Sequence, residues 1–161
     1  MSVEAPLKLH TEIIRPDWID YNGHMNVAYY VLVFDHATDA FLDYIGLNES
    51  HREKHNSSTF AAELHVNYLR EVKEADEVEV TTHLLGFDEK RMHYYHQMYH
   101  KAGGWLSASN EVMSLHMDMS VRKVAAMPGN IMQKLSDIEK SHRSLPVPDN
   151  VGRRMGINRK A

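Results

Sequence analysis

Asp20-Tyr21-Asn22-Gly23-His24-Met25-Asn26, followed at once by Val27-Ala28-Tyr29-Tyr30-Val31 and an apolar spacing that continues to Ile45, decides how this chain is read. The first seven residues place a carboxylate, an amide, an imidazole and a second amide on alternate positions of a glycine-containing segment. From Val27 the apolar positions Val27, Tyr30, Val31, Phe34, Ala37, Thr38, Phe41, Leu42 and Ile45 recur at helical three-and-four spacing, and Gly46 is placed to cap the end. At about 1.5 Å per residue such a helix is roughly 30 Å long, enough to form the centre of a small domain. The polar segment therefore ends where the free N–H groups of a helix begin, a position that favours developing negative charge. Acyl hydrolysis needs that combination: a carboxylate that attacks or activates water, and N–H donors for the oxyanion. The same residues also suit an Asx-type turn with an N-cap.

Outward from this point the elements alternate in a simple order. Leu7, Leu9 and Ile13 alternate with Lys8, His10 and Glu12 as a first strand from Leu7 to Ile14, which Pro16 terminates. Residues 48–58 read as a polar linker. Residues 59–72 place Leu64, Val66 and Tyr68 opposite Glu63, His65 and Asn67. Three further strands follow: Val78 to Leu84, Met92 to His100 and Leu106 to Met119, with turns at residues 86–89 and Gly103-Gly104. Closely spaced strands predict an antiparallel meander. Pro128 opens a short helix to about Lys140. The expected class is α+β, a curved antiparallel sheet wrapped around one long helix. The division is a domain over 1–141 and a basic tail over 142–161.

Composition narrows the function classes. The 161 residues fit one domain, and with no cysteine there is no disulfide framework, thiolate zinc site or cysteine nucleophile. No signal peptide or membrane-spanning stretch is expected, and the predicted location is cytoplasmic. The net charge of −4 argues against a nucleic-acid partner. It is unevenly spread: the residues from Ser141 onward carry +4 and the rest −8. The tail is therefore a solvated end, an intersubunit strap, or an arm for an anionic ligand such as the phosphates of coenzyme A. No metal is expected. His93 points away from His96 and His100 on a strand, the latter two lie roughly 13 Å apart, and no helical His-Glu-x-x-His is present.

Order and motif together resemble the hotdog fold, in the thioesterase branch typified by 4-hydroxybenzoyl-CoA thioesterase. The resemblance covers about residues 7–120, and its most specific part is the pattern Asp-x-x-Gly-His-x-Asn-x-x-Tyr at Asp20, Gly23, His24, Asn26 and Tyr29. It implies that Asp20 attacks the thioester or activates water and that a helix-start amide near Asn26 or Val27 polarises the carbonyl. The Asp-x-Asn-x-His triplet of plant acyl-carrier-protein thioesterases is similar to Asp20, Asn22 and His24, and implies a further acid near Glu71. The stretches VFDHATDAFLDYIGL (33–47), LLGFDEKRMHYYH (84–96) and EVMSLHMD (111–118) are similar to the betainyl-CoA thioesterases of carnitine catabolism.

The expected function is thus an acyl-CoA thioesterase acting on a small acyl-CoA without a cofactor. The alternative is a non-catalytic acyl-CoA-binding module of the same fold. A hydratase on this fold is disfavoured because Asn22 is followed by Gly23-His24 rather than by proline. Expected catalytic residues are Asp20, His24, Asn22 as a holder of Asp20 or of the lytic water, and Glu63 as a base facing Asp20, within one chain or across a subunit boundary, the competing reading of Glu63 being the outer face of the sheet. Expected substrate contacts are Asn26, Val27, Tyr29 and Tyr30. Tyr21, Tyr68, Tyr94, Tyr95, Tyr99 and Trp105 add aromatic faces that suit a quaternary ammonium and equally suit a core. An unpaired long edge strand predicts a homodimer or homotetramer.

Overall fold

The helix expected from Val27 is present as α1 (Val27–Ile45) in the computed structural model, which describes residues 3–157. Asn26 caps it, its side-chain oxygen accepting from Ala28 N–H at 3.0 Å. Gly46 closes it in the left-handed region at φ 97°, with Gly46 and Leu47 N–H both donating to Leu42 O. Tyr30, Val33, Phe34, Ala37, Phe41, Leu42 and Ile45 are its buried residues.

Before α1 come β1 (Leu7–Ile13) and a 3₁₀ turn at Pro16–Trp18. After it come α2 (Glu49–His55), β2 (Ser57–Tyr68), β3 (Glu77–Phe87), β4 (Arg91–His100), β5 (Leu106–Asp118), β6 (Lys123–Val124) and α3 (Gly129–His142). All pairings are antiparallel, in the order β1-β3-β4-β5-β2, with β6 added to β5. The result is the curled sheet and central helix of the hotdog fold.

Three expectations need correction. The meander is confined to β3, β4 and β5, which short turns join; β2 lies at the far edge against β5. Residues 69–76, too long for a tight hairpin, carry the chain from β2 to β3 on the other side. The supposed linker contains α2, capped by Asn48 through its bond from His51 N–H at 2.9 Å. It buries none of its residues, so it leaves no apolar period to read. The strand expected to reach Val72 stops at Tyr68.

Two apolar clusters fill the space between α1 and the sheet. The carboxyl half of α1 packs Phe41, Leu42 and Ile45 against Leu84, Tyr94, Val112 and the α3 residues Ile131, Leu135 and Ile138. The amino half packs Val33, Phe34 and Ala37 against Trp18, Met25, Val72, Val78 and Met98. Each fully buried large side chain contributes roughly 1.5–3 kcal/mol. Trp18 and Met25 matter most for the site, because they anchor both sides of the exposed segment between them. Among the described residues, no helix is long and apolar enough to cross a membrane.

The described part of the tail lies on the sheet face turned away from α1. The Tyr95 hydroxyl donates to Asn150 Oδ1 at 2.6 Å, and Gly152 N–H donates to the Glu111 carboxylate at 2.9 Å. Arg159 and Lys160, two of its basic residues, lie outside the described residues.

Candidate active site

Asp20 is held in a loop built almost entirely from its own neighbours. Gly23 N–H donates to Asp20 O at 3.0 Å, with Gly23 at φ 79°, a conformation that costs any other L-residue roughly 1–2 kcal/mol. Asp20 N–H donates to His24 O, and Ile19 and Met25 form an isolated antiparallel bridge that closes the loop. The carboxylate is thereby fixed on both oxygens: Oδ1 accepts from Asn22 N–H at 2.8 Å, and Oδ2 from Asn26 Nδ2 at 3.1 Å. Asn26 therefore caps the helix with its oxygen and positions Asp20 with its nitrogen. The Asn22 side chain was the expected holder, but its backbone does the holding.

The amides at the helix start differ in their partners. Met25 N–H donates to Val72 O and Asn26 N–H to Trp18 O, each at 2.9 Å. Ala28 N–H is taken by the Asn26 cap. Val27, at the first helical position, has an N–H without an intrahelical acceptor. Of the two candidate amides, that of Asn26 is committed to Trp18 O.

His24 and the acid implied near Glu71 come together. His24 Nε2 lies 3.3 Å from Glu71 Oε2, while His24 Nδ1 is buried with no partner among the described residues. Both line a cleft of about 200 Å³ with Val27, Tyr30, Tyr68 and Arg70. Tyr30 and Tyr68 meet edge to face at 5.2 Å, and the Tyr68 hydroxyl donates to Val27 O at 3.1 Å. Val72 N–H donates to the buried Tyr30 hydroxyl at 3.2 Å, and burial pushes the Tyr30 phenol pKa upward, so it stays neutral. Tyr29 stacks on Trp18 at 5.5 Å and supports the loop instead of lining the cleft. Tyr21 points into solvent.

A second cavity of about 320 Å³ continues the groove between α1 and β2, lined by Val31, Leu32, Asp35, Thr38, Leu64 and Asn110. Asn110 Oδ1 is buried there without a partner among the described residues. Behind Thr38 lies His96, fully buried and hydrogen-bonded at 3.0 Å to the hydroxyls of both Thr38 and Thr82. Burial lowers its pKa to about 3, so it is neutral. His93 pairs with Glu111 at 2.8 Å, and His100 stacks on Trp105 and pairs with Asp76. These three histidines serve three separate places.

Within the single chain Glu63 lies on the other side of the sheet from α1. It pairs with Met113 on the sheet face turned away from α1 and lines a groove with His65, His93, Glu111 and Arg153. Its neighbour Leu64 faces α1, and strand alternation sends Glu63 the other way. A bulge at Ala62 places Ala61 on the same side as Leu64.

This fold is shared with known proteins. The thioesterase-like superfamily matches over residues 14–135. Over 144 residues the chain is 42% identical to a betainyl-CoA thioesterase of Pseudomonas aeruginosa, covering 89% of this chain and 91% of that one. It is 34% identical to a Rhizobium meliloti L-carnitine dehydrogenase/betainyl-CoA thioesterase, covering 99% of this chain but 32% of the relative. A Staphylococcus aureus protein solved in complex with CoA superposes with a TM-score of 0.89 at 26% identity, covering 98% of this chain and all of the other. A Pseudomonas putida structure with a provisional thioesterase assignment gives 0.84 at 35% identity, with the same coverage.

Proposed function

The chain belongs to the thioesterase-like superfamily and is an acyl-CoA thioester hydrolase, and from that premise we propose betainyl-CoA as its substrate, cleaved to the betaine acid and coenzyme A with Asp20 as the catalytic carboxylate. The observation that carries the reading is the Asp20 carboxylate, clamped by Asn22 N–H and by the side chain of Asn26, the residue that caps α1. A thioester whose carbonyl oxygen points at Val27 N–H sits at the positive end of α1, which stabilises the charge that develops there. Asp20 attacks the carbonyl carbon or draws a proton from the attacking water. Attack by Asp20 expels the coenzyme A thiolate and leaves a mixed anhydride that water then opens; in a single turnover in oxygen-18 water, label in the Asp20 carboxylate is diagnostic of that route, arising when water enters at the Asp20 carbonyl.

His24, oriented by Glu71, lies beside the carbonyl as its second polar contact. Tyr30 and Tyr68 form the wall that the acyl group meets. A trimethylammonium group needs a small space, aromatic faces and a nearby negative charge, and the cleft supplies Tyr68, Tyr30 and Glu71. Each cation–π contact is worth roughly 0.5–2 kcal/mol. Relatives named for betainyl-CoA hydrolysis support the same acyl group.

We further propose a homodimer formed along β2, as the unit of any tetramer. This edge strand is twelve residues long and exposes Phe60, Leu64 and Tyr68 by 39, 44 and 46%. Long apolar edges invite pairing. A partner seated there would also close the groove between α1 and β2. Light scattering on the native chain should give twice the chain mass or more, and Leu64→Glu should lower it. An enzyme dependent on coenzyme A, with no cysteine to oxidise, fits the cytoplasm.

The substrate test is thiol release from a panel of betainyl, short aliphatic and aromatic acyl-CoAs. Preference for betainyl-CoA supports the assignment; a preference for neutral or aromatic groups leaves the thioesterase and removes the betaine.

A further inference from the structure

Glu12 of β1 collects two imidazoles. His10 Nε2 lies 2.9 Å from Glu12 Oε2, and His36 Nδ1 of α1 lies 2.9 and 3.1 Å from Oε2 and Oε1. One donor atom from each of the three residues lies within 4.8 Å of the other two. His10 and Glu12 share a face because they are two apart on a strand, and α1 delivers His36 from the opposite layer. The Glu12 and His10 side chains are 19 and 20% exposed, while His36, at 37%, leaves an approach from solvent.

We propose that His10, Glu12 and His36 form a binding site for a divalent transition metal of the zinc class, with water in the remaining position. The donor set of two nitrogens and one carboxylate oxygen suits zinc, cobalt or nickel, whereas calcium and magnesium prefer all-oxygen sites. Tetrahedral zinc with bonds of roughly 2.0–2.2 Å needs donors about 3.3 Å apart. The His–Glu separations here are shorter by only a few tenths of an ångström, within reach of small side-chain rotations. With both rings neutral the cluster carries one negative charge.

Comparison with the other histidine–carboxylate pairs sharpens the case. His24 with Glu71, His93 with Glu111 and His100 with Asp76 are one-to-one pairs. Among the described residues only Glu12 holds two rings. The surroundings add negative charge, since Asp35 and Asp39 flank His36 along α1. Lys8, the nearest cation on β1, is turned to Glu79, and Arg52 acts on Asp39. None of the three ligands lines the cleft that holds His24 and Val27. The metal would therefore tie β1 to α1 and take no part in hydrolysis.

The test is calorimetric titration of the untagged, chelator-treated protein with zinc, alongside cobalt absorption spectroscopy. One ion per chain is expected, with the intense visible bands of four-coordinate cobalt and a higher melting temperature when zinc is present. His36→Gln and, independently, His10→Gln should weaken binding by more than the roughly 10–100-fold that loss of an outer partner costs. His93→Gln should leave binding unchanged, and far-UV circular dichroism confirms that each variant is folded. No stoichiometric binding, or binding that survives both ligand substitutions, would overturn the site.

Discussion

The loop around Asp20 and the cluster around His96 are both polar and both touch α1, yet they are built on opposite plans. In the loop, Asp20 and His24 keep capacity to spare: lone pairs on the carboxylate and an Nδ1 unpartnered among the described residues. In the cluster, both ring nitrogens of His96 are bonded to threonine hydroxyls, and Phe34 and Tyr94 pack against the ring. On the proposed function, the groups of the loop that would meet a substrate are left partly unsatisfied near the start of α1. A group that only supports is fully satisfied and dry.

That contrast predicts which property each region controls. The largest effect belongs to the loop. Asp20→Asn keeps the shape but removes the charge, and turnover should fall by about a thousandfold, within the span usual for a lost acid–base group, with the melting temperature nearly unmoved. Comparable turnover in the variant would break the comparison at once.

The cluster should show the reverse. His96→Gln leaves one threonine hydroxyl without its partner and should cost roughly 1–3 kcal/mol in denaturant unfolding. The pH dependence follows from the same burial. The unfolded chain takes up a proton on His96 near the usual pKa of 6.5, while the folded chain does not until about 3. Stability is therefore complete above about 6.5 and declines as pH falls from there toward 3. The slope is about 1.4 kcal/mol per unit, or about 2 kcal/mol by pH 5. Burial also holds the pKa values of His83 and His142 down, which acts in the same direction. His96→Gln should flatten the profile; an unchanged slope would assign it to other groups.

Two smaller effects return to the loop. Tyr68→Leu should raise KM for betainyl-CoA by the equivalent of roughly 0.5–2 kcal/mol. It should leave the uncharged isostere, with carbon in place of the quaternary nitrogen, almost unaffected. Equal losses on both would make Tyr68 a packing residue. Asn26→Ala should cost about 1 kcal/mol of stability through the lost cap. It should also lower kcat several-fold, because Asp20 Oδ2 loses its donor. Loss of stability alone would reduce Asn26 to a cap.

The same contrast explains what could be read from the sequence. The loop, α1 and both its caps are local: Asp20 to Asn26 spans a single turn, and the Gly46 stop is adjacent to its helix. Their spacing carries the information, and the structure places them as expected. What escaped was non-local or lacked a period. α2 is polar all round. The position of β2 depends on pairing with β5, some fifty residues on, and that pairing decides which way Glu63 faces. Glu71, implied by the resemblance and not by any spacing, reaches His24 because the chain returns after β2. His96 sits on a strand like any other inward residue, and its two threonines come from α1 and β3. Glu12 and His36 meet across two layers, which no spacing rule for histidines can anticipate.

The most direct measurement is a crystal structure of the Asp20→Asn chain with betainyl-CoA bound. The account predicts the thioester carbonyl oxygen within hydrogen-bond distance of Val27 N, the substituted side chain at position 20 beside the carbonyl carbon, and the trimethylammonium against Tyr68. A thioester lying instead in the groove of Glu63 and Glu111, on the far face of the sheet, would contradict it.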